Sequence, residues 1–334
     1  MEQKKSKSRV TTLLALLGMA VWLAVFSYAR ISALKTLPLS QRAAERYAGQ
    51  SGKRFVQLSA FFHPQEEVGE FDILLYNEFL QEGLKSSGNG GVGFPFACSV
   101  SADLAVQSAR GMFQIPAIGM GGDFFLFHPY PLLYGSLTEI PAGNGIIVND
   151  GAAWLLFGAV DAVDQPVLIG GNAYKVVGVV RLEDDRASQA ALGREESMVF
   201  VPYSAMGTGM TCYEVVLPEP VKGYGEALFA GLRVGDTVSN STRFSASAIW
   251  EAIRSLPGYN MDPFSAPVPY WENAARNIEM RIILWTMLLC FFLLPAAAVL
   301  LLLLFVPMAG HALRLLRNRK GNPIITGRKG VTDP

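Results

Sequence analysis

The chain has 334 residues, 28 basic and 28 acidic side chains, and a formal net charge of zero. That balance excludes a nucleic-acid binder working through a global basic field. Charged residues make up 17% and mean hydropathy is +0.28, both unusual for a wholly soluble domain. The neutrality is a cancellation: residues 1–30 carry five basic and one acidic side chain, 31–280 carry 16 and 26, and 281–334 carry seven and one. An acidic middle between two basic ends is a membrane-topology signal.

In chain order, residues 1–9 form a basic N-terminus and Val10–Ala29 contains no charge. At about 1.5 Å per residue that run crosses the roughly 30 Å hydrocarbon core. Ser27-Tyr28-Ala29 resembles a signal-peptide cleavage site, but the apolar stretch exceeds a usual signal core. A retained anchor is expected. Residues 31–50 read as a stalk. Arg54–Phe62 reads as a strand, and Glu67–Lys85 places Phe71, Leu74, Leu75, Phe79 and Leu80 near helical spacing. Phe94–Ala109 has the alternation of extended chain. Residues 51–110 thus read strand–helix–strand.

Residues 111–194 differ in texture, being rich in Gly, Pro and aromatics, and read as a β-rich insertion. Ile146–Asp150 is a short strand, with Asp150 the expected cap of a helix Ala152–Phe157 that Gly158 ends. Pro166–Ile169 and Tyr174–Val180 flank Gly170-Gly171-Asn172, a hairpin signal. Leu182–Glu196 reads as a polar loop, and Met198–Val201 as a strand. Residues 195–265 form a second α/β half: strand Cys212–Leu217, helix Pro220–Leu232, strand Thr242–Ala246 and helix Ser247–Ser255. A helix from about Trp271 runs into a second charge-free stretch, Ile282–Gly310, expected to cross the membrane with a kink at Pro295. Residues 311–334 are a basic tail. Basic residues outside both spans keep both termini cytoplasmic, so residues 30–281 lie outside the membrane.

Chemistry is sparse. Gly88–Gly93 matches G-x-G-x-x-G in letters but lacks the strand before and the helix after, so a loop is expected. His63, His128 and His311 stand apart with no ligand spacing, and the first two read as surface or turn histidines. Glu183-Asp184-Asp185 reads as a solvated loop rather than a calcium site, and Asn240-Ser241-Thr242 is a glycosylation sequon only in a cell that has that machinery. The aromatic runs 124–127 and 130–134 read as core beneath a loop-rich domain. Cys98 and Cys212 lie in the outer region, where a disulfide between them is permitted. No catalytic, metal or cofactor residues are expected.

Weak blocks recur in a definite order. They are Pro131–Glu139 (PLLYGSLTE), Gly145–Asp150 followed by Ala152–Gly158, Pro166–Ile169 with Tyr174–Val180 (YKVVGVV), and Met198–Tyr203 (MVFVPY). Together they resemble the MacB-like periplasmic core domain of MacB/FtsX-type ABC-transporter permeases. The turn after Pro166-Val167 lacks that family's Gly and Lys, and Ser136 stands where an Arg is common. The resemblance implies an α+β fold: two transmembrane helices flanking an extracytoplasmic domain of two strand–helix–strand halves with a β-rich insertion. It also implies a non-catalytic membrane subunit, a reduced two-span form of the family's permeases. Such a subunit relays conformational change from a separate ATPase and a permease-like partner in the lipid bilayer, within a homo- or hetero-oligomer. The alternative is a membrane-anchored extracytoplasmic binding or sensor module.

Overall fold

A computed structural model describes residues 2–49, 52–86, 93–137, 143–193, 197–256 and 268–320. Most of the Gly-rich run, residues 87–92, and the tail beyond Lys320 therefore lie outside the described residues. The chain divides into two units: Ser32–Ile283, and the two outer pieces Met1–Ile31 and Leu284–Pro334.

The second of these is helical. The helix α1 is Glu2–Lys35, and Leu16–Lys35 within it is the one helix among the described residues long and apolar enough to cross a membrane. The last helix, Tyr270–Lys320, carries the other piece and continues past Pro295. Within this unit the rings of Trp22 and Phe26 stack on Phe292 at 5.8 and 5.6 Å, and Phe26 meets Trp285 at 5.9 Å.

Ser32–Ile283 begins with a 3-10 turn, Leu39–Arg42, and α2, Ala43–Ala48. Next come β1 (Phe55–Phe61), α3 (Glu70–Ser86) and β2 (Phe96–Ser108). Helix α3 buries Ile73, Leu80 and Leu84, while Phe71, Leu74, Leu75 and Phe79 are exposed. The middle of the chain gives β3 (Gly111–Gly122), α4 (Phe124–Phe127), β4 (Leu132–Gly135), β5 (Gly145–Asn149) and α5 (Asp150–Phe157). It continues with β6 (Pro166–Ile169), β7 (Asn172–Val180), α6 (Arg186–Leu192) and β8 (Val199–Pro202). Then come β9 (Cys212–Pro218), α7 (Tyr224–Ala230), β10 (Asp236–Ser239) and α8 (Ala246–Ser255), before the last helix, α9.

Four local expectations are corrected. The cap of α5 is Asn149, not Asp150: its side chain accepts from the Ala152 amide at 2.9 Å and also from the Met198 amide at 2.8 Å. The stretch after Leu182 is not all loop, because the Asp185 side chain accepts from two backbone amides and starts α6. The strand expected at Thr242–Ala246 lies earlier, at β10, and residues 242–245 are turn leading into α8. The helix expected over Pro220–Leu232 shrinks to α7, since Gly223 takes φ 82° at its start. The hairpin β6–β7 forms as its sequence demands, with Gly170 and Gly171 at φ 57° and 83°.

Among the described residues ten strands form one sheet, in the order β10-β1-β9-β2-β3-β8-β5-β7-β4, with β6 pairing to β2 and β7. Strands β3–β8 and β5–β7 pair in parallel and the rest antiparallel. The long hairpin β2–β3 lies in the middle of the strand order. Its β2 pairs with β9 at Phe96–Ser99 and with β6 at Val106 and Gln107. Near β1 and β9, one sheet face is apolar against α3 and α7 through Val56, Leu58, Val215 and Leu217. The other face carries Gln57, Ser59 and Glu214 between the same strands, all buried. A β-strand presents alternate residues to opposite faces, so this polar set is a chosen face of the sheet.

Candidate functional site

The polar face is where α9 enters the domain. Its first residues, Tyr270, Trp271 and Glu272, each meet a different buried group. Trp271 is 1% exposed and lies across the imidazole of His128, ring centroids 4.2 Å apart, with Phe124 edge-on at 5.8 Å. His128 is wholly buried after α4, and its Nε2 lies 2.6 Å from Glu214 Oε2 on β9. The other carboxylate oxygen accepts from Ser59 Oγ at 3.3 Å, and Ser59 accepts from Asn240 Nδ2 at 3.1 Å. A line of polar groups thus runs across β9, β1 and the end of β10, ending under an indole. The hydrogen bonds along this line fix its geometry, while His128 Nδ1 and Trp271 Nε1 are buried without a hydrogen-bond partner among the described residues.

Tyr270 donates to Glu183 Oε2 at 2.9 Å and therefore accepts from Tyr130, whose hydroxyl lies 2.5 Å away. Burial pushes the Glu183 carboxyl above its ordinary value; the nearby His128 ring and the Tyr270 hydrogen bond oppose that shift. Burial likewise raises both tyrosines, so they remain neutral donors.

Glu272 is 1% exposed and receives Arg243 Nη1 at 2.8 Å and Arg276 Nε at 3.1 Å. Arg243 also reaches Glu279 Oε2 at 2.6 Å. Residues 272, 276 and 279 share one helix face, so a single arginine from the β10–α8 turn clamps two turns of α9. Burial pulls the guanidinium down, but the two carboxylates outweigh it and leave it above its ordinary value. Below the clamp, Ala274, Ala275, Ile278, Ile282 and Ile283 are all buried, packed with Ala187 of α6 and Ile249 of α8.

The chain entering from the N-terminal side is tied to the same sheet face. Gln57 Nε2 donates to the Ser40 carbonyl at 2.7 Å and its Oε1 accepts from the Ala43 amide at 2.9 Å. Arg46 donates to the carbonyl of Leu126 at 2.6 Å, next to α4.

The arrangement corrects several sequence expectations. His128 is not a surface or turn histidine; it is the centre of the buried site. Glu183 is not solvated, and Asn240 is 3% exposed with its amide engaged, so the sequon is not presented to solvent. No disulfide joins Cys98 and Cys212: both are free thiols. Cys98 pairs with Tyr213 and Cys212 with Ser99 across β2 and β9, so the two side chains leave opposite faces of the sheet. The aromatic run behaves as expected at Phe124, Phe127 and Tyr130, all buried, while Tyr134 is 44% exposed. Among the described residues no three His, Cys, Asp or Glu side chains are grouped to hold a metal. His128 had no sequence signal beyond its type. Its partners Glu214 and Trp271 come from residues 86 and 143 positions away.

Residues 93–238, from just before β2 into β10, match the family described as the MacB-like periplasmic core domain. Among solved structures, the periplasmic region of MacB from Actinobacillus actinomycetemcomitans aligns with 14% identity and a TM-score of 0.38, over 56% of this chain and 89% of that one. The extracellular domain of the noncanonic ABC-type transporter YknZ from Gram-positive bacteria aligns with 17% identity and a TM-score of 0.36, over 56% and 99%. No curated protein matches the chain. The matched residues are fewer than half of the chain and mark a segment similar to that domain. The stalk, β1, α3 and α9 lie beyond the matched residues.

Proposed function

We propose that this protein is a non-catalytic membrane subunit that relays conformational change between a cytoplasmic ATPase and permease partner and the extracytoplasmic side. Both termini are cytoplasmic, and α1 and the charge-free stretch Ile282–Gly310 of α9 are the two spans. The observation that carries the reading is the seat of α9. One helix runs through Tyr270–Lys320, and its first three residues are fixed by a tilted indole–imidazole contact, a tyrosine–carboxyl hydrogen bond and a buried ion pair. A helix bolted in that way transmits a rotation or a shift as a rigid body, because packed interfaces have discrete arrangements and do not deform continuously. The basic flanks of both spans support the orientation.

The test is recovery of the complex. The tagged chain, solubilised gently from native membranes, is expected to bring down an ATPase and a permease-like protein, and Arg243→Met is expected to leave that recovery intact while uncoupling ATP-driven change in the outer domain. Spin labels on α3 and on α8 would report the change as an ATP-dependent distance. Recovery of the chain alone, or an ATP response unaffected by Arg243→Met, overturns the relay. A second reading, a membrane-anchored binding module, has one feature in its favour: an apolar cavity on the other face of the sheet.

A further inference from the structure

Helix α8 has two unlike faces. Ile249, Ala252, Ile253 and the following Leu256 recur at helical spacing and form one apolar stripe. Ile249 is 1% exposed, and the stripe joins one apolar cluster with Ala274, Ile278, Ile282 and Ile283 of α9. Ala33, Leu34 and Leu37, at and just past the end of α1, belong to the same cluster. Beside the stripe stand Trp250, 44% exposed, and Arg254 one turn on, its guanidinium 5.5 Å from the centre of the indole.

The cluster marks a level on α9. Its α9 residues, Ala274–Ile283, span about 14 Å of helix. They end inside the charge-free stretch, which begins at Ile282. Leu34, from the apolar helix Leu16–Lys35, reaches the same cluster. The ends of both expected spans therefore meet in the cluster that α8 completes. The headgroup layer outside the hydrocarbon is about 5–7 Å deep, so a helix packed on this segment is within reach of it. Charge agrees. Residues 31–280 carry 16 basic and 26 acidic side chains, yet Arg254 and the two residues that adjoin the cluster in the chain, Lys35 and Arg281, are exposed cations. One acid, Glu251, is exposed on the same helix. Trp with Arg and Lys is the composition of a membrane interface: an amphipathic ring at headgroup depth, and long cations that reach phosphate.

We propose that α8 rests on the outer leaflet, with Trp250 in the headgroup layer and Arg254 on a phospholipid phosphate. The proposal rests on the reading of α9 as a membrane span. The chain itself selects this occupant, because the helix on which α8 packs continues into the bilayer and brings lipid beside the exposed face. Arg243, in the turn that enters α8, holds Glu272 and Glu279 of α9. Lipid contact and the clamp on α9 are thus two ends of one short segment.

The experiment uses the full chain in nanodiscs of phosphatidylcholine and phosphatidylglycerol, doped with lipid that carries a nitroxide either on its headgroup or deep in its acyl chain. The emission of Trp250 is read as the difference between the wild type and Trp250→Phe. Quenching by the headgroup nitroxide, stronger than by the deep one, is expected. Trp154, exposed on α5 and read in the same way from Trp154→Phe, should be quenched by neither. Arg254→Glu, with an unchanged thermal melt, should reduce the headgroup quenching of Trp250 by about twofold or more. A fluorophore on Cys290, within the charge-free stretch, should be quenched by the deep nitroxide and reports separately whether α9 crosses. Quenching at Cys290 with none at Trp250 overturns this proposal and leaves the span intact. Quenching at neither removes the span, and this proposal with it. Stronger quenching of Trp250 by the deep nitroxide, or an unchanged signal in Arg254→Glu, also overturns it.

Discussion

At the scale of single residues, two groups in the α9 seat carry opposite lessons. Glu272 is a buried carboxylate whose charge is matched by Arg243 and Arg276. Removing one partner of such a pair leaves a charge without its counter-ion, at a cost of about 3–5 kcal/mol. Arg243→Met is therefore expected to lower the unfolding free energy of the outer domain by that amount, read from denaturant midpoints. Adding Glu272→Met to it should recover part of the loss, because the second change removes the stranded charge. Glu183 is the reverse case, a carboxyl that burial pushes above 4.5. The fold holds its proton more tightly than the unfolded chain does. Its contribution to stability is present below the unfolded value and is lost as pH rises through the raised folded value. Glu183→Gln keeps an acceptor for Tyr270 and does not titrate. The melting temperature of the wild type relative to this variant should fall as pH climbs from 4.5 into the neutral range. A constant difference across that range would contradict the assignment.

At the scale of elements, tight turns were legible, while caps and pairings were not. Gly170-Gly171 called for a tight turn with two positive φ angles, and the β6–β7 hairpin has it. The helical spacing around Leu80 marked α3, although the buried stripe is Ile73, Leu80 and Leu84 and most of the other marked residues face outward. Period-3.6 spacing shows that a helix exists more surely than it shows which face packs. Asp150 was the expected cap of α5, and the fold uses Asn149 instead, which also accepts the Met198 amide just before β8. Asn149→Ala thus leaves two buried amides unpaired and is expected to cost about 2 kcal/mol or more. Asp185→Ala, at the part-buried start of α6, should cost about 1 kcal/mol. Thermal or chemical melts of the two variants side by side would check the ranking. The α9 seat was illegible for a plain reason: His128, Glu214, Ser59 and Trp271 come from four distant stretches, and each alone looks like an ordinary residue of a strand, turn or helix. The register of β1 and β9 sets Ser59 beside Glu214, packing of α4 and α9 on that face adds His128 and Trp271, and the register of β2 and β9 parts Cys98 from Cys212.

At the scale of the whole molecule, the charge distribution makes the strongest demand. Four basic residues precede the first apolar run, and Arg314, Arg317, Arg319 and Lys320 follow the second, while the segment between is acidic. Holding basic flanks on the cytoplasmic side costs nothing, whereas translocating either would oppose the rule that orients membrane helices. The aromatic contacts of Trp22 and Phe26 with Trp285 and Phe292 fit two apolar helices that pack side by side. The expected arrangement is in–out–in, and three single cysteines test it. With Cys290 replaced by Ala and the buried Cys98 and Cys212 retained, cysteines are introduced as Ser6→Cys, Lys222→Cys and Asn318→Cys. A membrane-impermeant maleimide applied to intact cells, with the outer envelope made permeable where one exists, should label position 222 at once and leave 6 and 318 unlabelled until the inner membrane is opened. Labelling at 318 from outside would turn α9 into a helix that does not cross, and labelling at 6 would do the same for α1. Either result would remove the route by which a cytoplasmic ATPase could act on the Trp271–His128 seat. Protection of both ends with an exposed centre would leave α9 as a direct covalent line between them.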